Sequence, residues 1–110
     1  MITRFKMFES FSDKSYDEIK EELTKYMMNL YGFDRNTALG IIEYENTDPT
    51  NIGYEYDALK DYMTEVSTIE ELSDMMMMSD EGEYQFDIIK DDPEKYKYYL
   101  RQKEMKKFKI

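Results

Sequence analysis

Three observations predict a mainly α fold, a compact bundle of four to five short helices. Only two Pro and four Gly occur in 110 residues, which suits helices better than a turn-rich β fold. Apolar residues recur at intervals of three and four, and several of these stripes follow a Ser, Thr or Asp in an N-cap position. The length corresponds to one domain over residues 1–110, and the 41% hydrophobic content argues against disorder.

The first two helices have the clearest boundaries. A capping box at Ser15–Glu18 predicts a helix over about Tyr16–Tyr31, and Gly32 suits the left-handed turn that ends it. Asp34 then caps a second, shorter helix that is expected to end near Asn46.

Two further helices are expected in the middle of the chain. Asp48-Pro49 supplies an N-cap followed by a favoured first helical residue, which predicts a third helix over about 49–66. Ser67–Glu70 has the spacing of another capping box, and this fourth helix continues through the run Met75–Met78 until Gly82 interrupts it.

The last part of the chain is predicted less uniquely. Residues 83–89 alternate apolar and polar side chains, which indicates a strand, although a short helix fits nearly as well. A strand here leaves room for a small two-stranded β element that pairs residues 1–8 with 84–89. Asp92-Pro93 repeats the Asp-Pro helix start and predicts a basic C-terminal helix or tail at about 93–110.

The charge is distributed very unevenly along the chain. The net charge is −10, but residues 36–89 hold 14 carboxylates against a single lysine, Lys60. Residues 90–110 hold eight basic and four acidic side chains. Such a field bears on association and on the choice of partner rather than on the fold.

The acidic middle of the chain predicts a partner-binding ridge. In a helix over 49–66, Asp57, Asp61 and Glu65 would recur every four residues and share one face, where like charges repel. Because this repulsion costs free energy, we infer that the row of carboxylates has a function. It could occupy a groove that is built for nucleic-acid phosphates. The ridge is predicted to contain Asp57, Asp61, Glu65, Glu70, Glu71 and Asp74. The simpler alternative is an acidic face that only keeps the protein soluble.

Tyr and Met residues provide the candidate short-range contacts. Tyr54 and Tyr56 lie inside the acidic stretch, and Tyr is frequent at interface hot spots. Four consecutive methionines cover most of a helix circumference, so one or two should be exposed unless the helix is buried on every side. Met76 and Met77 are therefore candidate adaptable contacts. Equally, this helix end could be plugged into the core.

The basic tail has two interpretations. Its lysines and tyrosines over 95–109 could contact phosphates and stack on bases. The favoured interpretation is that they complement the helix dipole and neutralise the acidic middle within the molecule.

The residue inventory excludes several function classes. The chain has no Cys and no His, which removes thiolate sites, the commonest transition-metal ligand and the commonest general base. No phosphate loop, nucleophile motif or calcium loop occurs. We therefore expect no catalytic activity, no metal and no cofactor. Without a long apolar run or a signal peptide, the sequence predicts a cytoplasmic protein that does not enter a membrane.

In overall character, small, acidic, free of Cys and His and rich in Tyr and Met, the chain resembles phage-encoded inhibitors of host defence. These include DNA mimics and anti-CRISPR proteins. The resemblance is one of composition and transfers no residue roles. It implies a non-enzymatic inhibitor whose acidic surface blocks the basic nucleic-acid-binding channel of a host nuclease or defence complex, without direct binding of nucleic acid.

Two alternatives stay open. One is a helical adaptor or assembly subunit that binds a protein through Met-rich apolar contacts. The other is a small nucleic-acid-binding module that uses the basic C-terminal helix. The sequence does not distinguish a monomer from a dimer.

Overall fold

The computed structural model describes residues 14–44 and 57–107, and within them it contains six helices and no strand. The helices are α1 (Tyr16–Tyr31), α2 (Arg35–Tyr44), α3 (Ala58–Tyr62), α4 (Ile69–Met76), α5 (Asp80–Lys90) and α6 (Pro93–Lys107). The predicted mainly helical fold is confirmed, although four to five helices were expected. Helix α1 is central, because α2, α4 and α6 all pack against it; α5 packs on α2 and α6, and α3 packs on α4.

Helix α1 has the predicted boundaries and the predicted caps. The Ser15 hydroxyl accepts a hydrogen bond from the Glu18 amide at 3.1 Å, and the Glu18 carboxylate accepts one from the Ser15 amide at 2.8 Å. At the other end Gly32 has φ of +76° and donates its amide to the Met28 carbonyl. This left-handed conformation is the one that glycine adopts without steric cost.

The core forms on the apolar face of α1. Ile19, Leu23 and Met27 are fully buried at intervals of four, so they line one side of the helix. The neighbouring helices complete the cluster with Ala38, Ile41, Ile42, Leu59, Leu72, Met76 and Ile89. Full burial of one such large side chain stabilises the fold by roughly 1.5–3 kcal/mol.

Two of the three predicted aspartate caps, Asp34 and Asp92, lie in the described residues and are confirmed. Asp34 accepts a hydrogen bond from the Thr37 amide at 2.8 Å, and this bond holds the pKa of Asp34 below its usual range. Asp92 accepts from the Glu94 amide at 3.0 Å and so begins α6. Helix α2 ends at Tyr44, slightly before the expected end near Asn46, which lies outside the described residues.

The third helix does not fill the expected range 49–66, because it begins only after its N-cap Asp57, whose backbone is extended, and it stops before residue 66. Helix α3 ends at Tyr62, and the chain turns over the next three residues. There the Thr64 hydroxyl donates to a main-chain carbonyl at 2.7 Å. Thr64, Val66, Ser67 and Thr68, which lie in this turn and directly after it, are weak helix formers in a helix interior. The expected start at Asp48-Pro49 lies outside the described residues.

Helix α4 begins one residue later than predicted. Thr68 is the N-cap, and its hydroxyl accepts a hydrogen bond from the Glu71 amide at 3.1 Å. The Glu71 carboxylate in turn accepts from the Ser67 amide at 3.2 Å. Both Ser67–Glu70 and Thr68–Glu71 have the spacing of a cap, so the local sequence does not distinguish the two starts.

The predicted fourth helix does not continue through Met78 to Gly82 but ends at Met76, and Gly82 instead lies in the first turn of α5. Ser79 is the N-cap, and its hydroxyl accepts a hydrogen bond from the Gly82 amide at 3.1 Å. A Cβ at Gly82 would lie only 2.6 Å from Met77 Cα. The glycine therefore allows the end of α4 and the start of α5 to meet backbone against backbone.

The small β element is not supported, because its second strand lies inside α5. Phe86 and Ile89 pack toward the core, whereas Tyr84 and Ile88 are exposed. The inward pair is separated by three residues, the helical interval. Residues 1–8 lie outside the described residues.

Candidate protein-binding surface

The carboxylates of α3, of the turn that follows it, of α4 and of the first turn of α5 form what we call the acidic surface. Its members are Asp61, Glu65, Glu70, Glu71, Asp74, Asp80, Glu81 and Glu83. All except the partly buried Glu81 are exposed. Among the side chains described, those of residues 14–43 and 57–105, no Lys or Arg nitrogen lies within 4.0 Å of any of these carboxylates.

Most of these carboxylates lie where a helix tolerates negative charge. Asp61, Glu70, Glu71, Asp80, Glu81 and Glu83 occupy first turns. An anion there interacts favourably with the helix dipole, by about 0.3–1 kcal/mol at low ionic strength. Glu65 and Asp74 are outside the first turns and make no side-chain hydrogen bond within the described residues, so helix capping does not account for them.

Asp57 has a structural role instead of a place on the predicted ridge. Its carboxylate is the N-cap of α3 and accepts the Lys60 amide at 3.3 Å. It also accepts a hydrogen bond from Tyr16, and burial together with this bond raises the pKa of Tyr16 to about 12. Because α3 starts after Asp57 and stops before Glu65, the predicted row of Asp57, Asp61 and Glu65 does not lie on one helical face.

Glu70 and Asp74 do share a face of α4, at an interval of four residues, and their charges affect a tyrosine of α1. Burial, followed by the charges of Glu70 and Asp74, raises the pKa of Tyr26 to about 12. The two carboxylates therefore lie near the same half-buried tyrosine. Of the predicted ridge, these two carboxylates lie on one helical face.

The basic helix α6 does not neutralise the acidic surface in the described part of the chain. Lys95, Lys97, Arg101 and Lys103 are exposed, and none of them lies within 4.0 Å of a described carboxylate. Helix α6 packs on α1 and α5 rather than on α4. Intramolecular neutralisation, the favoured interpretation of the sequence, is therefore not observed there.

The methionine run divides into buried and exposed members. Met76 is fully buried in the core, which overturns its assignment as an exposed contact. Met77 is half-buried against the core, whereas Met78 is 74% exposed. The expectation that at least one methionine is exposed is confirmed for Met78. Tyr54 and Tyr56 lie outside the described residues.

An aromatic groove of about 320 Å³ lies between α1, α5 and α6. It is lined by Tyr31, Met77, Glu83, Phe86, Asp87, Lys90 and Tyr99. The Tyr31 and Tyr99 rings stack at 5.3 Å, and Phe86 meets the Tyr99 ring edge-on at 5.2 Å. We did not predict this groove because the three rings are far apart in sequence, and the alternation around Phe86 indicated a strand.

None of the described helices has both the length and the apolar character that crossing a membrane requires. Residues 14–44 and 57–107 also contain no group of three or more carboxylates placed to hold a metal ion. No known protein family, curated protein or solved structure matches this chain. Any functional assignment therefore starts from the surfaces described above.

Proposed function

We propose that this protein is a non-enzymatic inhibitor that binds a protein partner through the acidic surface and blocks a basic channel that otherwise holds nucleic acid. The observation that supports it is the acidic surface itself: eight carboxylates, seven of them exposed, without a described cation within 4.0 Å. A nucleic-acid-processing enzyme of the host is the kind of partner that has such a channel.

The physical basis is competition for the same cations. A channel that holds nucleic acid presents Lys and Arg to a dense line of phosphates. Carboxylates that are not already paired can approach those cations without first breaking internal ion pairs. They would also steer association over long distances, and this contribution weakens as salt shortens the screening length to about 8 Å at physiological ionic strength.

The alternative functions differ in their support. The adaptor hypothesis loses Met76 as a contact and would have to depend on Met78 and on the exposed Tyr84 and Ile88 of α5. The nucleic-acid-binding hypothesis is favoured by one observation: Lys95, Lys97, Arg101 and Lys103 of α6 are exposed and form no ion pair with a described carboxylate. Fluorescence anisotropy with labelled single-stranded RNA and DNA at low salt tests it directly, because tight binding would favour α6 over the acidic surface.

The decisive variant reverses charge on the acidic surface without removing a helix-capping side chain. Glu65→Lys/Asp74→Lys changes two exposed carboxylates that have no capping role. Asp91→Lys/Glu104→Lys is the matched control, because it changes the net charge equally at exposed positions outside the acidic surface. Circular dichroism should show the same helix content for both variants.

The measurement has two stages. Proteins that the wild-type chain and the control retain from a lysate of the natural host, but that the Glu65→Lys/Asp74→Lys variant does not, are candidate partners. Each purified candidate is then bound to a fluorescent DNA duplex. Wild type and control should displace the duplex at about 0.1 M salt, with loss of potency as salt rises. Equal displacement by the Glu65→Lys/Asp74→Lys variant, or no displacement by any form, would contradict the proposal.

A further inference from the structure

We infer that the aromatic groove between α1, α5 and α6 receives the guanidinium group of an arginine side chain from the protein partner. This assignment rests on the proposed function, since a partner with a basic surface supplies the arginine. It names one chemical feature of the partner and one place on this chain where that feature binds.

The rings of the groove form a supported wall. Tyr31 stacks on Tyr99 with 7° between the ring planes, and it also stacks on Phe33 at 5.1 Å. Phe86 meets both Tyr31 and Tyr99 edge-on, at 6.1 Å and 5.2 Å. Because each ring contacts at least one other ring, the wall exists before any partner arrives.

The molecule already places cations on this wall. The Lys90 ammonium lies 5.5 Å from the centroid of Phe86 and 3.9 Å from an Asp87 carboxylate oxygen. Lys103 lies 5.7 Å from the centroid of Tyr99. A ring face combined with a carboxylate is therefore a cation site that Lys90 occupies from within the chain.

A second carboxylate of the groove has no such internal partner. Glu83 lines the groove, is exposed, and has no Lys or Arg nitrogen within 4.0 Å among the described residues. It is also a member of the acidic surface, so the groove continues that surface toward α6. With Glu83 and Asp87 against Lys90, the lining keeps a net negative charge.

These features favour arginine over lysine. A guanidinium group is planar, stacks on aromatic faces and pairs with a carboxylate through two parallel hydrogen bonds, whereas an ammonium group is a more strongly hydrated point charge. The groove volume of about 320 Å³ is at the lower end of the range for binding pockets. That size suits a single side chain.

The probe is a blocked pentapeptide, acetyl-Gly-Gly-Arg-Gly-Gly-amide, titrated into the ¹⁵N-labelled full chain and followed by NMR amide shifts. We expect saturable shifts in the amides that flank the groove. Peptides with Lys or citrulline in place of Arg should bind at least threefold more weakly, and citrulline tests charge because it keeps nearly the same shape. Equal affinity of the Arg and citrulline peptides, or shifts confined to other surfaces, would overturn the assignment.

Two variants and a control sharpen the test. Lys90→Gln removes the internal competitor and should tighten binding of the Arg peptide about threefold or more, a gain that misfolding cannot imitate. Glu83→Gln should weaken it by a similar factor. Glu104→Gln changes an exposed carboxylate that neither lines the groove nor belongs to the acidic surface, and it should have no effect. Weaker or unchanged binding by Lys90→Gln would contradict the inference.

The inference and the proposed function fail in different ways. Glu65→Lys/Asp74→Lys leaves the groove lining intact, so it should lose the partner but keep the Arg peptide. If Glu83→Gln and Lys90→Gln leave partner binding unchanged while Glu65→Lys/Asp74→Lys abolishes it, the proposed function stands and the arginine site is wrong. If the peptide binds as expected but no partner displaces DNA, the proposed function is wrong.

Discussion

Helices α4 and α6 both pack on α1, but they are held there by different chemistry. Helix α4 buries Leu72, Ser73 and Met76 and carries carboxylates outside. Helix α6 has no fully buried side chain between residues 93 and 105 and carries lysines and arginine outside. It contacts the core through half-buried tyrosines, and the Tyr98 hydroxyl donates to the Asn29 carbonyl at 2.7 Å.

In both helices, the side chains that anchor the helix on α1 differ from the charged side chains that the helix presents to solvent. The acidic helix has the stronger apolar anchor, so its charge repulsion is tolerated by a helix that is firmly packed. The basic helix has no fully buried side chain over residues 93–105 and depends more on ring stacking and one hydrogen bond, so we expect it to open locally before α4 does.

The largest expected effect is a loss of stability when a leucine of α4 is truncated, and truncation of a leucine of α6 is its comparison. Leu72→Ala removes a fully buried side chain from α4 and should lower the free energy of unfolding by about 2–5 kcal/mol, because it leaves a cavity. Leu100→Ala on α6 removes a side chain that is 46% exposed and should cost less than about 1 kcal/mol. Urea denaturation followed by circular dichroism measures both, and equal losses would refute the difference in anchoring.

A smaller effect is expected at the junction that orients the acidic surface. Gly82→Ala would bring Cβ to 2.6 Å from Met77 Cα and 2.8 Å from the Met76 carbonyl oxygen. Because backbone must move, we expect a loss of about 1–3 kcal/mol. Gly40→Ala is the matched control, since nothing lies within 4 Å of its added Cβ in α2, and it should stabilise by about 0.5–1 kcal/mol. Thermal unfolding of both variants decides this, and a neutral Gly82→Ala would show that α4 and α5 are not in close contact.

The smallest effect concerns the hydrogen bond that ties α6 to α1. Tyr98→Phe removes the donor to Asn29 and should cost about 0.5–1.5 kcal/mol. In amide hydrogen exchange, the Tyr98→Phe variant should show faster exchange only in α6. Tyr84→Phe, which changes an exposed tyrosine, is the control and should leave the exchange rates unchanged. Faster exchange in α4 as well would mean that the two helices open together and would remove the contrast between them.

How far the sequence could predict the molecule differed between fold and site. The caps at Ser15, Asp34 and Asp92 depend on residues within four positions, so they were predictable. The choice between Thr68 and Ser67 as a cap was not, because both satisfy the local pattern. For the site, the sequence indicated acidity and exposed methionine in general, but it did not decide whether Met76 would be exposed or buried in the core.

The sequence by itself determined the mainly helical character, the first helix from cap to cap and the separation of acidic from basic segments, because these follow from nearest neighbours and from composition. Only the tertiary structure decided that Gly82 lies inside a helix and that Tyr31, Phe86 and Tyr99 meet in one groove. It also decided that Asp57 caps α3 and accepts a hydrogen bond from Tyr16. Contacts between residues far apart in the chain make those decisions. The same contacts bring the acidic α4 and the basic α6 onto α1 and leave the carboxylates of the acidic surface without an ion pair in the described part of the molecule.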